Sequence, residues 1–191
     1  SFGGKSAVQL EFIAYFASKA VGGKEVLLVN SREDDMVSSP CRIGLEAKVK
    51  FGASRDGIIN AAEITYHVET GAYSDMGAVM TKACASDGTG PYNIDNVWCD
   101  SKCVYTNHPY VTSFRGFGHS EFTMAIERTM DKLADALGMD PWELRLKNAI
   151  KPGDTTPTQV KLTHSNIGDL PKCIEKVKAL INWDEGRRIE V

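Results

Sequence analysis

Apolar residues recur at three- and four-residue steps in three stretches of the chain and alternate in two others. Leu10, Ile13, Ala14, Ala17 and Val21 predict a helix over residues 6–21, stopped by Gly22-Gly23. Lys24 to Asn30 reads as a short strand rich in Val and Leu, buried on both faces. The polar stretch from Ser31 to Cys41, with its acids and Pro40, reads as a connection. Leu45, Ala47, Val49 and Phe51 alternate, as do Ala62, Ile64, Tyr66 and Val68. Between them Ser54-Arg55-Asp56-Gly57 supplies a turn, so 45–53 and 58–68 predict a β-hairpin. A bulge is expected at 69–73, a short helix near 76–86 and a strand over 94–106. Phe122, Ile126, Met130, Leu133 and Leu137 mark an amphipathic helix ended by Gly138. Asp140, Pro141 and Glu143 read as the cap, first turn and capping box of the next helix. Residues 152–166 are polar and irregular, and Leu170, Ile174, Val177 and Ile181 predict a last helix over 169–181. A hairpin, further strands and helices that do not alternate with them give an α+β fold, with mixed sheets and packed helices.

Composition narrows the function classes. The 191 residues are 42% hydrophobic and 25% charged, with a formal net charge of −3. That length buries a real core in one domain, with sub-lobes expected at 1–110 and 111–191. No basic excess attracts nucleic acid, and no apolar run approaches the ~20 residues that cross a bilayer. The start lacks a basic segment followed by an apolar one, so no secretory signal is read there. Five cysteines, Cys41, Cys84, Cys99, Cys103 and Cys173, then fit reduced thiols in the cytoplasm. Cys99 and Cys103 form a C-x3-C pair without the second pair that structural zinc needs, and no four-cysteine cluster pattern is present.

Two segments carry candidate chemistry. Ser113-Phe114-Arg115-Gly116-Phe117-Gly118 combines glycines that let a backbone approach a ligand, two aromatic rings and one arginine. Such a loop with a buried cation suits an anionic or π-faced ligand; it equally suits rings that plug a core. Phe2-Gly3-Gly4-Lys5 precedes a helix, where backbone N–H groups favour anions. Gly4-Lys5-Ser6 also matches the end of a phosphate-binding loop, but the strand at 24–30 ends in Asn30 where an Asp is wanted.

Together with Gly138-Met139-Asp140-Pro141-Trp142-Glu143-Leu144-Arg145-Leu146-Lys147-Asn148 and Lys151-Pro152-Gly153-Asp154, these blocks resemble the large, molybdopterin-binding subunit of the xanthine dehydrogenase and aldehyde oxidoreductase family. The resemblance covers essentially the whole chain and marks residues 1–191 as a fragment of the molybdopterin-binding region without its C-terminal part. It implies a molybdopterin-type molybdenum cofactor beside Phe2, Gly3, Gly4, Arg115 and Gly116, with no direct side-chain ligand to the metal. Phe117 would form a wall of the substrate pocket. Arg42, nine residues before Phe51, has two readings: a pocket cation that stabilises negative charge on a substrate, or a solvated surface arginine. Glu121 stands where many relatives have Gln; it is either a first-turn acid favoured by the helix dipole or a group near the pterin. Ser6 occupies the place of a glutamate in purine-oxidising relatives, which disfavours xanthine. Thr112 occupies the place of a copper-binding cysteine in carbon-monoxide-oxidising ones.

The resemblance implies part of a molybdenum hydroxylase that oxidises an aldehyde or an N-heterocyclic or aromatic small molecule, with oxygen derived from water. Electrons would pass to iron–sulfur clusters and FAD on partner domains or subunits. The general-base glutamate is expected beyond Val191, so the fragment alone would be inactive. Two alternatives stay open on the residues themselves: a non-catalytic domain that binds partner subunits, and a P-loop nucleotide-binding fragment.

Overall fold

The computed structural model describes residues 10–186. In chain order the elements are α1 (Glu11–Ala20), α2 (Arg32–Ser38), β1 (Leu45–Ala53), β2 (Ile59–Gly71), α3 (Gly77–Ser86), β3 (Asn96–Tyr105), α4 (His119–Leu137), α5 (Pro141–Asn148) and α6 (Leu170–Leu180), followed by a 3-10 turn at Trp183–Glu185. The strands form a sheet of order β1-β2-β3. The class is α+β.

The chain divides into two compact units, each assembled from three segments. Neither coincides with a contiguous lobe at 1–110 or 111–191. The first comprises Ser1–Ala47, Thr65–Ala85 and Asp100–Phe122. Its core is the end of β2, where Tyr66, Val68 and Thr70 are buried, with Met80 and Cys84 from α3, Ile43, Val111 and Phe122. The period-2 alternation foreseen for β2 runs from Ala62 to Thr70. The expected break arrives at Gly71, which takes φ +74 and whose missing Cβ would overlap the Pro109 carbonyl. Chain 106–111 crosses there: Thr106 N–H donates to Gly71 O at 3.1 Å, and Val111 N–H to Thr70 O at 3.2 Å. Only a residue without Cβ permits that approach.

Two expectations fail in this unit. Lys24 to Asn30 is not a strand, and Leu27 and Val29 are 88% and 73% exposed. An extended segment becomes a strand only when another strand takes up its backbone groups, and none does so among the described residues. The polar connection after Asn30 contains α2 instead. Ser31 caps it by accepting from Asp34 N–H at 3.1 Å, and Glu33, Asp34 and Asp35 occupy its first turn. Side-chain capping and dipole-favoured acids stabilise a helix that shows no apolar periodicity. In α1, Gly22 and Gly23 end the helix at φ +76 and +83, but no residue of the helix is buried.

The second unit comprises Lys48–Ile64, Ser86–Cys99 and Thr123–Val191. Gly57 adopts φ +90 in the hairpin turn, and a Cβ there would fall 2.8 Å from Met139 Cε. Ile126, Met130 and Ala134 of α4 are buried with Ile59, Ala62, Ile64, Tyr92 and Leu144. Asn148 binds this core through polar bonds. Its Oδ1 accepts from Ile59 N–H, and its Nδ2 donates to the Gly57 and Leu144 carbonyls, each at 2.8 Å. Arg145 Nη2 lies 2.8 Å from Glu127 and 2.9 Å from Asp131, while the Tyr92 hydroxyl donates to Glu127 at 2.7 Å. Asp140 caps α5 as the sequence indicates, accepting from Trp142 and Glu143 N–H at 2.8 and 2.9 Å.

Candidate functional site

The first unit assembles the Phe-Arg loop. Residue 41 pairs with Val111 in a parallel bridge: Cys41 N–H donates to Tyr110 O at 3.2 Å, and Thr112 N–H to Cys41 O at 3.3 Å. Ser74 bridges Val111 on the other side. The buried Thr112 hydroxyl donates to the Asp75 carboxylate. These bonds fix the chain just before the loop and place Arg42 beside it, across more than 70 residues of sequence.

The loop then turns tightly. Phe114 N–H donates to Thr112 O at 2.8 Å, Phe117 N–H to Phe114 O at 2.9 Å, and His119 N–H to Gly116 O at 3.0 Å. Gly116 takes φ +112 and Gly118 φ +88. A Cβ on Gly116 would overlap Ser120 Oγ and stand 3.4 Å from Arg42 Nη1; one on Gly118 would stand 2.9 Å from Cys84 Sγ. Both glycines are therefore required by backbone and by space. Phe117 also has positive φ, 54°, which is uncommon for a bulky residue. Cys84 Sγ donates to Gly118 O at 3.7 Å, so α3 holds the loop's far end.

Arg42 is the charged centre of this arrangement. Nη1 donates to Glu121 Oε1 at 2.9 Å, and Nη2 donates to the Arg115 carbonyl at 2.7 Å. Its guanidinium carbon lies 4.7 Å from the centre of the Phe114 ring. The Glu121 side chain is 11% exposed, and its Oε2 is buried without a hydrogen-bond partner. A buried acceptor left unpaired is costly.

Of the residues named from sequence, Arg42, Arg115, Gly116 and Phe117 meet in one place. Arg115 is exposed, not buried as expected, and Phe117 is half-buried. Phe2, Gly3, Gly4 and Ser6 lie outside the described residues. The pairing of Arg42 with Glu121, the bond from Thr112 to Asp75 and the contact of Cys84 with Gly118 were not legible in the sequence. No local spacing signals a contact across 34 to 79 positions. Among the described residues no group of three or more His, Cys, Asp or Glu side chains converges as a metal site.

The loop thus sets an exposed Arg115 and a half-buried Phe117 beside the first turn of a 19-residue helix. The chain is similar to known proteins. The model of the family described as molybdopterin cofactor-binding domain matches residues 1–149. The aldehyde oxidoreductase of Megalodesulfovibrio gigas is 36% identical over 178 residues, which is 93% of this chain and 19% of that protein. A solved structure of the Desulfovibrio gigas aldehyde oxidoreductase superposes with a TM-score of 0.83 at 35% identity, covering 95% of this chain and 20% of that one. The nicotinate dehydrogenase large molybdopterin subunit of Eubacterium barkeri is 38% identical over 167 residues, 86% of this chain and 39% of that protein. The xanthine dehydrogenase molybdenum-binding subunit of Escherichia coli O157:H7 is 32% identical over 186 residues, 97% of this chain and 24% of that protein. The chain thus spans between a fifth and two fifths of these relatives, and it belongs to the molybdopterin cofactor-binding domain family.

Proposed function

We propose that the chain is part of the molybdenum-binding subunit of a molybdenum hydroxylase. The enzyme oxidises an aldehyde or an N-heterocyclic or aromatic small molecule with oxygen derived from water. Iron–sulfur clusters and FAD on partner domains or subunits take the electrons. The observation that carries this reading is the loop 113–118, whose two positive-φ glycines and exposed Arg115 stand in a chain matched by the family model.

The cofactor, when bound, supplies the metal that delivers oxygen and takes up electrons. This chain's residues do the positioning. Gly116 and Arg115 would lie beside the cofactor, with Arg115 offering planar donors to its anionic groups. Phe2, Gly3 and Gly4 are the further residues that this reading assigns to the cofactor. Phe117 presents a ring against which a planar substrate stacks and which excludes water. Ser6 supplies a hydroxyl in place of a carboxylate, so substrates that need no anionic partner at that position are preferred.

The test is to purify the enzyme that carries this sequence, measure molybdenum and pterin, and follow dye reduction with aldehydes and N-heterocycles. One molybdenum per subunit and turnover of either class are expected. A metal-free preparation that binds ATP instead would overturn the reading.

A further inference from the structure

The Arg42 guanidinium reaches one loop and the helix start that follows it. Nη1 reaches Glu121 Oε1 at 2.9 Å and Ser120 Oγ at 3.4 Å, Nη2 reaches the Arg115 carbonyl at 2.7 Å, and the Phe114 ring lies 4.7 Å away. The side chain is 37% exposed, yet its guanidinium is held by these contacts. The carbonyl it holds belongs to the residue just before two positive-φ positions, Gly116 and Phe117. Phe117 does not favour that backbone state by itself, and such states persist where surrounding contacts over-determine them.

We propose that Arg42 is a positioning residue: it clamps the loop 113–118 in the shape that presents Arg115, Gly116 and Phe117, and it does not contact substrate. Three acceptors, the Glu121 carboxylate, the Ser120 hydroxyl and the Arg115 carbonyl, fit a planar fork with fixed N–H directions. A lysine ammonium carries the charge but not the fork. Glu121 anchors the clamp. Its Oε1 accepts from Arg42 Nη1, while its Oε2 lacks a hydrogen-bond partner. The functional weight of the clamp rests on reading 113–118 as the cofactor loop; the clamp itself does not.

Hydrogen exchange on the enzyme that carries this sequence tests it, read on the amides of Phe117 and His119, which donate within the loop. Variants R42A, R42K and E121Q are compared, with molybdenum content and steady-state kinetics measured in parallel. Loss of a charge-assisted hydrogen bond predicts about tenfold faster exchange at these two amides in both R42A and R42K. Exchange in β2 should not change. E121Q keeps an acceptor and should fall between. Unchanged loop exchange with a raised KM would overturn the clamp and make Arg42 a substrate contact. Rescue of slow exchange by R42K would also overturn it, because charge alone would then suffice. Faster exchange throughout the protein would overturn it too, since Arg42 would be a general stabiliser. If the wild-type enzyme lacks molybdenum, the cofactor reading falls while the exchange result still decides the clamp.

Discussion

At the scale of single residues, Phe117 concentrates the tension in this site. It is half-buried at φ 54, between two glycines that also take positive φ. A left-handed backbone costs an L-residue roughly 1–2 kcal/mol, so the ring must contribute something glycine could not. In the intact enzyme, Phe117→Ala is expected to reduce use of a planar aromatic substrate by roughly 2- to 13-fold, the equivalent of a stacking contribution of about 0.5–1.5 kcal/mol. Stability should change little. If the ring is only a core plug, the same change costs roughly 3–5 kcal/mol of stability and leaves the kinetics of the folded enzyme intact. Denaturant melts and steady-state rates on the one variant separate the two. Phe117→Gly adds a control: it should be more stable than the alanine variant, because it removes the left-handed cost along with the ring.

At the scale of elements, the best-secured junction joins the hairpin turn to α5. Asn148 satisfies three backbone groups at once, all with good geometry and all in the buried interior. Asn148→Ala strands the Ile59 N–H and two carbonyls, at about 1–3 kcal/mol for a stranded buried group. A drop of that size or more in urea-unfolding free energy is expected, and a change under 0.5 kcal/mol would show that water replaces the amide. The start of α5 adds a pH dependence. Partial burial pushes the Asp140 carboxyl up, but the Trp183 indole N–H, then the Glu143 and Trp142 N–H groups and the charge of Lys178, outweigh it and hold the group below its ordinary 3.8. A folded-state pKa below the unfolded one gives stability that is present above the unfolded value and lost as pH falls through the folded one. As pH falls through and below the ordinary 3.8, then, the native chain should lose more stability than Asp140→Asn, which has no proton to take up. Parallel losses in the two proteins would remove Asp140 from the linkage.

At the scale of the whole molecule, apolar surface is left uncovered. Phe12, Ile13, Tyr15 and Phe16 of α1 are each more than half exposed, as are Leu27 and Val29 after it. The relatives are between about two and a half and five times longer than the matched region, as their 39% and 19% coverage implies. A cofactor enclosed by such a protein draws its hydrogen bonds from far more chain than is present here. The purified chain of 191 residues is therefore expected to contain no stoichiometric molybdenum. Metal analysis that finds one atom per chain would mean that the loop 113–118 and its neighbours suffice.

Local rules made much of this architecture legible. Alternation over 62–68 and the Gly57 turn specify the hairpin, because a strand with one buried face admits only one register. Gly138 at φ +62 and the Asp140 cap specify where α4 stops and α5 starts, since those signals act within one helical turn. The residues of the Phe-Arg loop were legible as well, from glycine spacing and composition. Three things were decided only by tertiary structure. Lys24 to Asn30 has the composition of a strand, but strand formation needs a partner that composition does not supply. Arg115 is exposed where the sequence suggested burial. Arg42 owes its place to the parallel bridge between residue 41 and Val111, which sets it against Glu121 some 79 positions away. Periodicity and capping are properties of neighbours in sequence, whereas that bridge is a backbone pairing between distant segments, and no local pattern encodes it.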